Sequence, residues 1–106
     1  MAVKKIASMQ EFDEAIGVAG KAVFVDFNAV WCGPCRMFGP VFDLFSEENA
    51  ATADCISVDV DQCPDIAMRF RIAAVPTILM FKDGQVADSL LGACDKPTLE
   101  ARLTNL

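Results

Sequence analysis

The chain contains no histidine in its 106 residues. A closed zinc site needs four ligands, and histidine supplies none of them here. Basic residues are also scarce, with nine Lys and Arg against fifteen Asp and Glu for a net charge of −6. Without a basic cluster there is no electrostatic footprint for nucleic acid or an anionic membrane. No apolar run approaches the roughly 20 residues of a membrane span. Lys4 and Lys5 look like the start of a signal peptide, but Ser8, Gln10 and Glu11 interrupt any apolar region that follows. Repeats, linkers and low-complexity stretches are missing too. Together these absences set the expectation of a cytoplasmic protein that takes neither nucleic acid nor membrane as partner.

What is present is apolar: 54% of the chain, enough for a packed interior and against disorder. The length predicts a single domain over residues 1–106. Five cysteines in a cytosolic chain read as chemistry rather than as a disulfide framework. Two of them, Cys32 and Cys35, lie in the stretch Phe27-Asn28-Ala29-Val30-Trp31-Cys32-Gly33-Pro34-Cys35-Arg36. The apolar run Ala22 to Phe27 leads in, and a helical pattern from Met37 to Asn49 leads out. The dithiol therefore stands where a buried strand ends and a helix begins. Free backbone N–H groups and the positive end of the helix dipole favour a thiolate at Cys32, and the charge of Arg36 adds to them. A thiol at i+3 can close on that sulfur or resolve a mixed disulfide. Trp31 shields one side of the pair in an exposed turn, and Pro34 stiffens the two-residue loop. The alternative, half of a zinc site, lacks partners, because Cys55, Cys63 and Cys94 form no second close pair.

Taken in order, Val3 to Ala7 predicts a first strand. Ser8 and Glu11 form a capping box for a helix whose Met9, Phe12, Ile16 and Ala19 face a core, and which Gly17 and Gly20 end. Ala22 to Phe27 shows no alternation, as in a strand covered on both faces. Asp26 is the anomaly inside it. Phe38, Phe42 and Phe45 stripe the next helix, and Pro40 should kink it. Cys55 to Asp59 is a third strand. Pro64 suits the first turn of a short helix carrying Ile66, Ala67 and Phe70. Thr77 to Phe81 is again continuous and apolar. Lys82-Asp83-Gly84-Gln85 reads as a hairpin turn, and Val86 to Leu91 returns antiparallel. Asp95 caps a last helix with Leu99, Leu103 and Leu106 on one face. The order βαβαβαββα gives an α/β domain with a mixed sheet.

These motifs resemble the thioredoxin family. Trp31-Cys32-Gly33-Pro34-Cys35 is similar to its active site. Asp26, Pro40, Val75-Pro76-Thr77, Lys82-Asp83-Gly84 and Gly92-Ala93 match further family features in the same order. The resemblance covers nearly the whole chain and implies a mixed five-stranded sheet flanked by four helices, with the site at a strand's C-terminal end. It implies a protein-disulfide reductase with Cys32 as nucleophile, Cys35 as resolving thiol and Asp26, buried beneath Cys35 with a raised pKa, as its proton acceptor. It implies a substrate groove made by Trp31, Gly33, Pro34, Val75, Pro76, Gly92 and Ala93, with the bond before Pro76 cis. On statistics alone that bond would be trans.

The resemblance further implies no bound cofactor or metal, and a redox-active disulfide between Cys32 and Cys35. The implied partners are an NADPH-dependent thioredoxin reductase and disulfide-containing proteins such as peroxiredoxins. Oxidant and isomerase relatives typically carry a histidine between the cysteines; Gly33-Pro34 there favours a reducing couple. Two departures stand out. Ser57 occupies a position where a lysine often neighbours the aspartate, and Asn28 one where many relatives carry an aromatic or small residue. Cys55 reads as a small buried hydrophobe. Cys63 and Cys94 sit in loop-like stretches and are expected to be exposed, so that a monomer could form a disulfide-linked dimer through either. A redox-switched binding module, holding an added strand at Val75, is the alternative to an enzyme.

Overall fold

Two helix starts in this chain are set by side-chain oxygens. Ser8 Oγ accepts the N–H of Glu11 at 3.2 Å, and Asp95 Oδ1 accepts that of Thr98 at 3.0 Å. Each satisfies a backbone donor that the first turn leaves free. In the computed structural model, which describes residues 3–106, the elements run β1 (Val3–Lys5), α1 (Met9–Ile16), β2 (Ala22–Asn28), α2 (Gly33–Glu48), β3 (Ala53–Asp59), α3 (Pro64–Arg69), β4 (Thr77–Lys82), β5 (Gln85–Leu91) and α4 (Lys96–Thr104). The strands form one sheet in the order β1-β3-β2-β4-β5. β3 pairs with β1 and β2 in parallel, while β4 pairs with β2 and β5 antiparallel. This is the mixed five-stranded sheet with four helices that the sequence predicts.

β2 is the central strand, and its alternation builds the core on both faces. Val23, Val25 and Phe27 pack with Phe12, Ile16, Ile56, Val58, Ile66 and Phe81 under α1 and α3. Ala22 and Phe24 point the other way, into a cluster with Phe38, Phe42 and Phe45 of α2, Met80 and Leu99. Asp26 follows Phe24 by two residues and so lies on the α2 face. Burial on both faces is why β2 shows no polar alternation.

Several boundaries differ from the sequence reading. β1 ends at Lys5, although Ile6 still donates its N–H to the Ser57 carbonyl at 2.9 Å. β3 begins two residues earlier than expected, at Ala53. Ala19 is exposed beyond the end of α1. The Glu11 carboxylate, expected to complete a capping box, lies 3.7 Å from Lys4 Nζ. Pro40 sits inside α2 without ending it. Asp83 and Gly84, with φ of 51° and 80°, give the two successive positive values that a tight hairpin turn requires. No helix among the described residues is long and apolar enough to cross a membrane.

Candidate active site

The first turn of α2 is organised by a cysteine. Cys32 occupies the N-cap with extended backbone (φ −90°, ψ 112°), and its Sγ accepts the N–H of Cys35 at 3.2 Å. The Cys32 carbonyl accepts the N–H of Arg36 at 3.2 Å, and its own N–H donates to the Ala29 carbonyl at 3.2 Å. The two sulfurs are bonded to each other, with the Cα atoms 5.2 Å apart. Gly33 and Pro34 open the helix between them, and Pro34 has no N–H to leave unsatisfied there. A negative charge on Cys32 Sγ would face an aimed N–H and the positive end of a 16-residue helix.

The sulfurs are not openly displayed. Cys32 and Cys35 are 5% and 6% exposed, whereas Val30 and Trp31 just before them are 72% and 67% exposed. The turn is exposed at Trp31 and Pro34, as expected, but its two cysteines are buried, and a disulfide has to dock closely to reach Cys32. Trp31 is anchored: its Nε1–H donates to Asp61 Oδ2 at 2.8 Å. Asp59 Oδ1 in turn accepts the N–H groups of Asp61 and Gln62 at 2.8 and 3.3 Å, holding that loop. Trp31 lines a shallow apolar depression of about 120 Å³ with Val60, Ile72 and Val75.

Val75 and Pro76 come up against the dithiol. Cys32 Sγ lies 3.7 Å from the Val75 carbonyl oxygen, and the Val75–Pro76 peptide is cis. The Pro76 carbonyl accepts the N–H of Gly92 at 2.8 Å. Gly92 has φ +91°, a left-handed conformation that favours glycine, and it leads into exposed Ala93. The sequence-distant segments 31–35, 75–76 and 92–93 thus converge through two direct links.

Asp26 is 5% exposed, and its Oδ1 has no hydrogen-bond partner among the described residues. It shares an open cleft of about 270 Å³ with Cys35, Arg36, Asp43, Asn28 and Ser57. Burial pushes its pKa up to about 7; the Asn28 amide opposes this, and the nearby Asp43 carboxylate adds to it. Asn28 Nδ2 donates to the Asp26 backbone carbonyl at 2.9 Å and to Ser57 Oγ at 2.8 Å.

Sequence reasoning missed Asp61 and Asp43, and it singled out Asn28 without giving it a role. Asp61 and Asp43 gave no signal, since nothing in the chain order ties them to Trp31 or Asp26. Asn28 did give one: at i+2 from Asp26 it shares that residue's face of β2. The remaining cysteines divide. Cys55 is buried as expected, its thiol pushed up to about 12 by that burial. Cys63, expected to be exposed, is buried at 3%. Its N–H bonds to the Asp59 carbonyl and its Sγ–H reaches the Ile6 carbonyl at 3.6 Å, so the loop turns the side chain inward against the α1 face. The dimer route expected through Cys63 is therefore closed, whereas Cys94 is partly exposed. No group of three or more His, Cys, Asp or Glu placed to hold a metal occurs among the described residues.

A family profile described as thioredoxin matches residues 3–105. Thioredoxin from Equus caballus is 44% identical over 105 residues, 98% of each chain. The M-type chloroplastic thioredoxin of Triticum aestivum is 40% identical over 94 residues; these are 89% of this chain but 54% of that protein, so the chain spans about half the length of this plant relative. Among solved structures, the thioredoxin of Malassezia sympodialis superposes with a TM-score of 0.87 at 40% identity, covering 97% of this chain and 89% of the other.

Proposed function

This chain belongs to the thioredoxin family, and from that premise we propose that it is a protein-disulfide reductase acting through Cys32 and Cys35. One observation carries the reading: a cystine caps the N-terminus of α2, and its inner member, Cys35, shares a cleft with a buried carboxyl whose pKa is about 7. In the reduced form Cys32 is the nucleophile. Its thiolate attacks one sulfur of a substrate disulfide; a Cys32–substrate bond forms, the substrate S–S bond breaks, and the leaving sulfur takes up a proton. Cys35 then gives its proton to Asp26 across the cleft and attacks Cys32 Sγ. The intramolecular disulfide closes and the second substrate sulfur departs as a thiolate, which takes up a proton from water. Two electrons have passed from the dithiol to the substrate. The second attack is fast because the attacking sulfur is held on the same helical turn.

Trp31, Gly33, Pro34, Val75, Pro76, Gly92 and Ala93 form the surface that receives the substrate, whose backbone adds to that of Val75 as an extended strand. Disulfide-containing proteins of the peroxiredoxin kind are the proposed substrates, and a thioredoxin reductase drawing on NADPH is the proposed source of electrons. A cytoplasmic location fits the three unbonded cysteines.

The test is reduction of a protein disulfide coupled to NADPH oxidation through a thioredoxin reductase. The wild type should turn over, and Cys32→Ser should not. Cys35→Ser should accumulate covalent complexes with substrate, because nothing resolves them. In the reduced wild type, Cys32 should alkylate well before Cys35 at neutral pH. Alkylation of Cys35 first would reverse the two roles, and substrate capture without turnover would make the chain a redox-switched binding module.

A further inference from the structure

β5 is an edge of the sheet, since it pairs with β4 and with no other strand among the described residues. The register identifies which of its backbone groups face outward. Gly92 donates its N–H to the Pro76 carbonyl, one step beyond the Thr77–Leu91 pair. Bonded and non-bonded pairs alternate along an antiparallel ladder. Ile78–Leu90 is therefore a bonded pair, whereas Thr77–Leu91 and Leu79–Ser89 are not. The N–H and C=O groups of Ser89 and Leu91 thus point away from β4. Such a row is a template for another strand. Asp88 is the only charged residue of Gln85–Leu91, and Val86 and Leu91 are 48% and 75% exposed.

In the middle of this edge both outward groups of Ser89 are taken. Asp88 Oδ1 accepts the Ser89 N–H at 2.8 Å. Arg102 Nη1, from α4, donates to the Ser89 carbonyl at 3.1 Å. The same nitrogen donates to Asp88 Oδ2 at 2.9 Å and closes the ring. A surface ion pair of this kind contributes little to stability by itself. Its placement sets it apart: no other ion pair among the described residues bonds to the backbone of a strand. On one side of Ser89, Ala87 has no register partner on β4, a bulge that twists the edge. On the other, Gly92 at φ +91° turns the chain off the line of the strand. Between the bulge and that turn, Leu91 alone keeps its outward groups open, where an added strand needs a run.

We infer that Asp88 and Arg102 are an edge guard, which keeps a second copy of this chain from pairing along β5. A second copy is the partner that the bare edge fits. Ser89 presents a donor and an acceptor on the same side. Two chains related by a two-fold axis at Ser89 would exchange both bonds between their Ser89 residues. Each Asp88 would then stand opposite Leu90 of the other copy, so that no like charges oppose each other. The guard fills that donor and that acceptor from within the chain. An incoming strand must first break both bonds and leave the Arg102 and Asp88 side chains without their partners.

The experiment is sedimentation equilibrium over protein concentrations from roughly 10 μM to 1 mM, because dimers answer to mass action. A phosphine reductant is present throughout, so that no dimer is disulfide-linked. Physiological salt screens the repulsion between two chains of net charge −6 beyond about 8 Å. The wild type should stay a monomer. Arg102→Ala should dimerise, with association tighter than wild type by roughly tenfold or more, the scale of one released hydrogen bond. Asp88→Ala frees the Ser89 N–H and should dimerise too; it carries the test if Arg102→Ala does not fold. Adding Ser89→Pro to Arg102→Ala should restore the monomer. Proline lacks the outward N–H, which β4 does not use, and is tolerated on an edge strand. A folded Arg102→Ala that remains monomeric across the range would overturn the inference. So would a dimer that survives Ser89→Pro, since it would pair through another surface.

Discussion

Trp31 shows how one hydrogen bond can decide what a surface presents. The indole is largely exposed, and its polar edge is held by Asp61 Oδ2 at 2.8 Å. Without that bond the ring would be free to rotate over the dithiol. Asp61→Ala should therefore leave the fold intact while loosening the ring. Trp31 is the only tryptophan in the chain, so fluorescence anisotropy reads its motion directly. The expected result is faster depolarisation in the variant and a drop in catalytic efficiency of roughly two- to tenfold, the range of one net hydrogen bond. Unchanged anisotropy would mean that packing against Val60 and Val75, rather than Asp61, fixes the ring. Asp61→Asn, which keeps an acceptor but no charge, should fall between the two.

At the scale of elements, two glycines of the site make opposite demands. Gly92 has φ +91° and hands its N–H to the Pro76 carbonyl; Gly33 begins α2 with no positive φ. A Cβ at either would meet nothing within 4 Å, so any cost is conformational. Gly92→Ala should lose about 1–2 kcal/mol of stability from left-handed backbone strain. Gly33→Ala should be neutral or gain up to about 1 kcal/mol from helix propensity. Urea unfolding of the two variants measures both, and equal losses would show that Gly33 also carries a packing role. Gly92 also marks where legibility in the sequence stops. Strands β2 and β4, the caps at Ser8 and Asp95, the Phe38–Phe42–Phe45 stripe and the Asp83-Gly84 turn were readable, because each is a short-range signal of periodicity or side-chain capping. The Trp31–Asp61 bond, the Asn28–Ser57 bridge and the burial of Cys63 were not, because each depends on segments 29 to 57 residues apart meeting in the fold. Chemistry contained in one turn was legible, whereas chemistry made by two strands or two loops awaited the register.

On the scale of the whole molecule, Asp26 ties stability to pH. A carboxyl normally near 3.8 is raised to about 7 by burial against the α2 face. The folded pKa exceeds the unfolded one, so the native state binds the proton more tightly. The contribution of Asp26 to stability is then greatest below about pH 4, falls as pH rises toward 7, and levels off above it. Three pKa units at about 1.4 kcal/mol each put the upper bound near 4 kcal/mol. Asp26→Asn keeps the shape and removes the titration. Compared with wild type it should be nearly equal at pH 4, more stable as pH rises, and about 4 kcal/mol more stable at most by pH 8.5. Burial also raises the thiols of Cys55, Cys63 and Cys94, which destabilises the fold at alkaline pH. Hydrogen bonds lower Asp88 and Asp95, whose stabilisation is lost in acid. These contributions are common to both proteins and cancel in the difference. Urea unfolding of the two oxidised proteins at several pH values between 4 and 8.5 therefore isolates one carboxyl. A difference that stays flat across that range would mean that Asp26 is solvated or paired, and the proton would need another acceptor. A difference that rises and levels near pH 7 would show that the group proposed to take the Cys35 proton weakens the ionised fold that holds it.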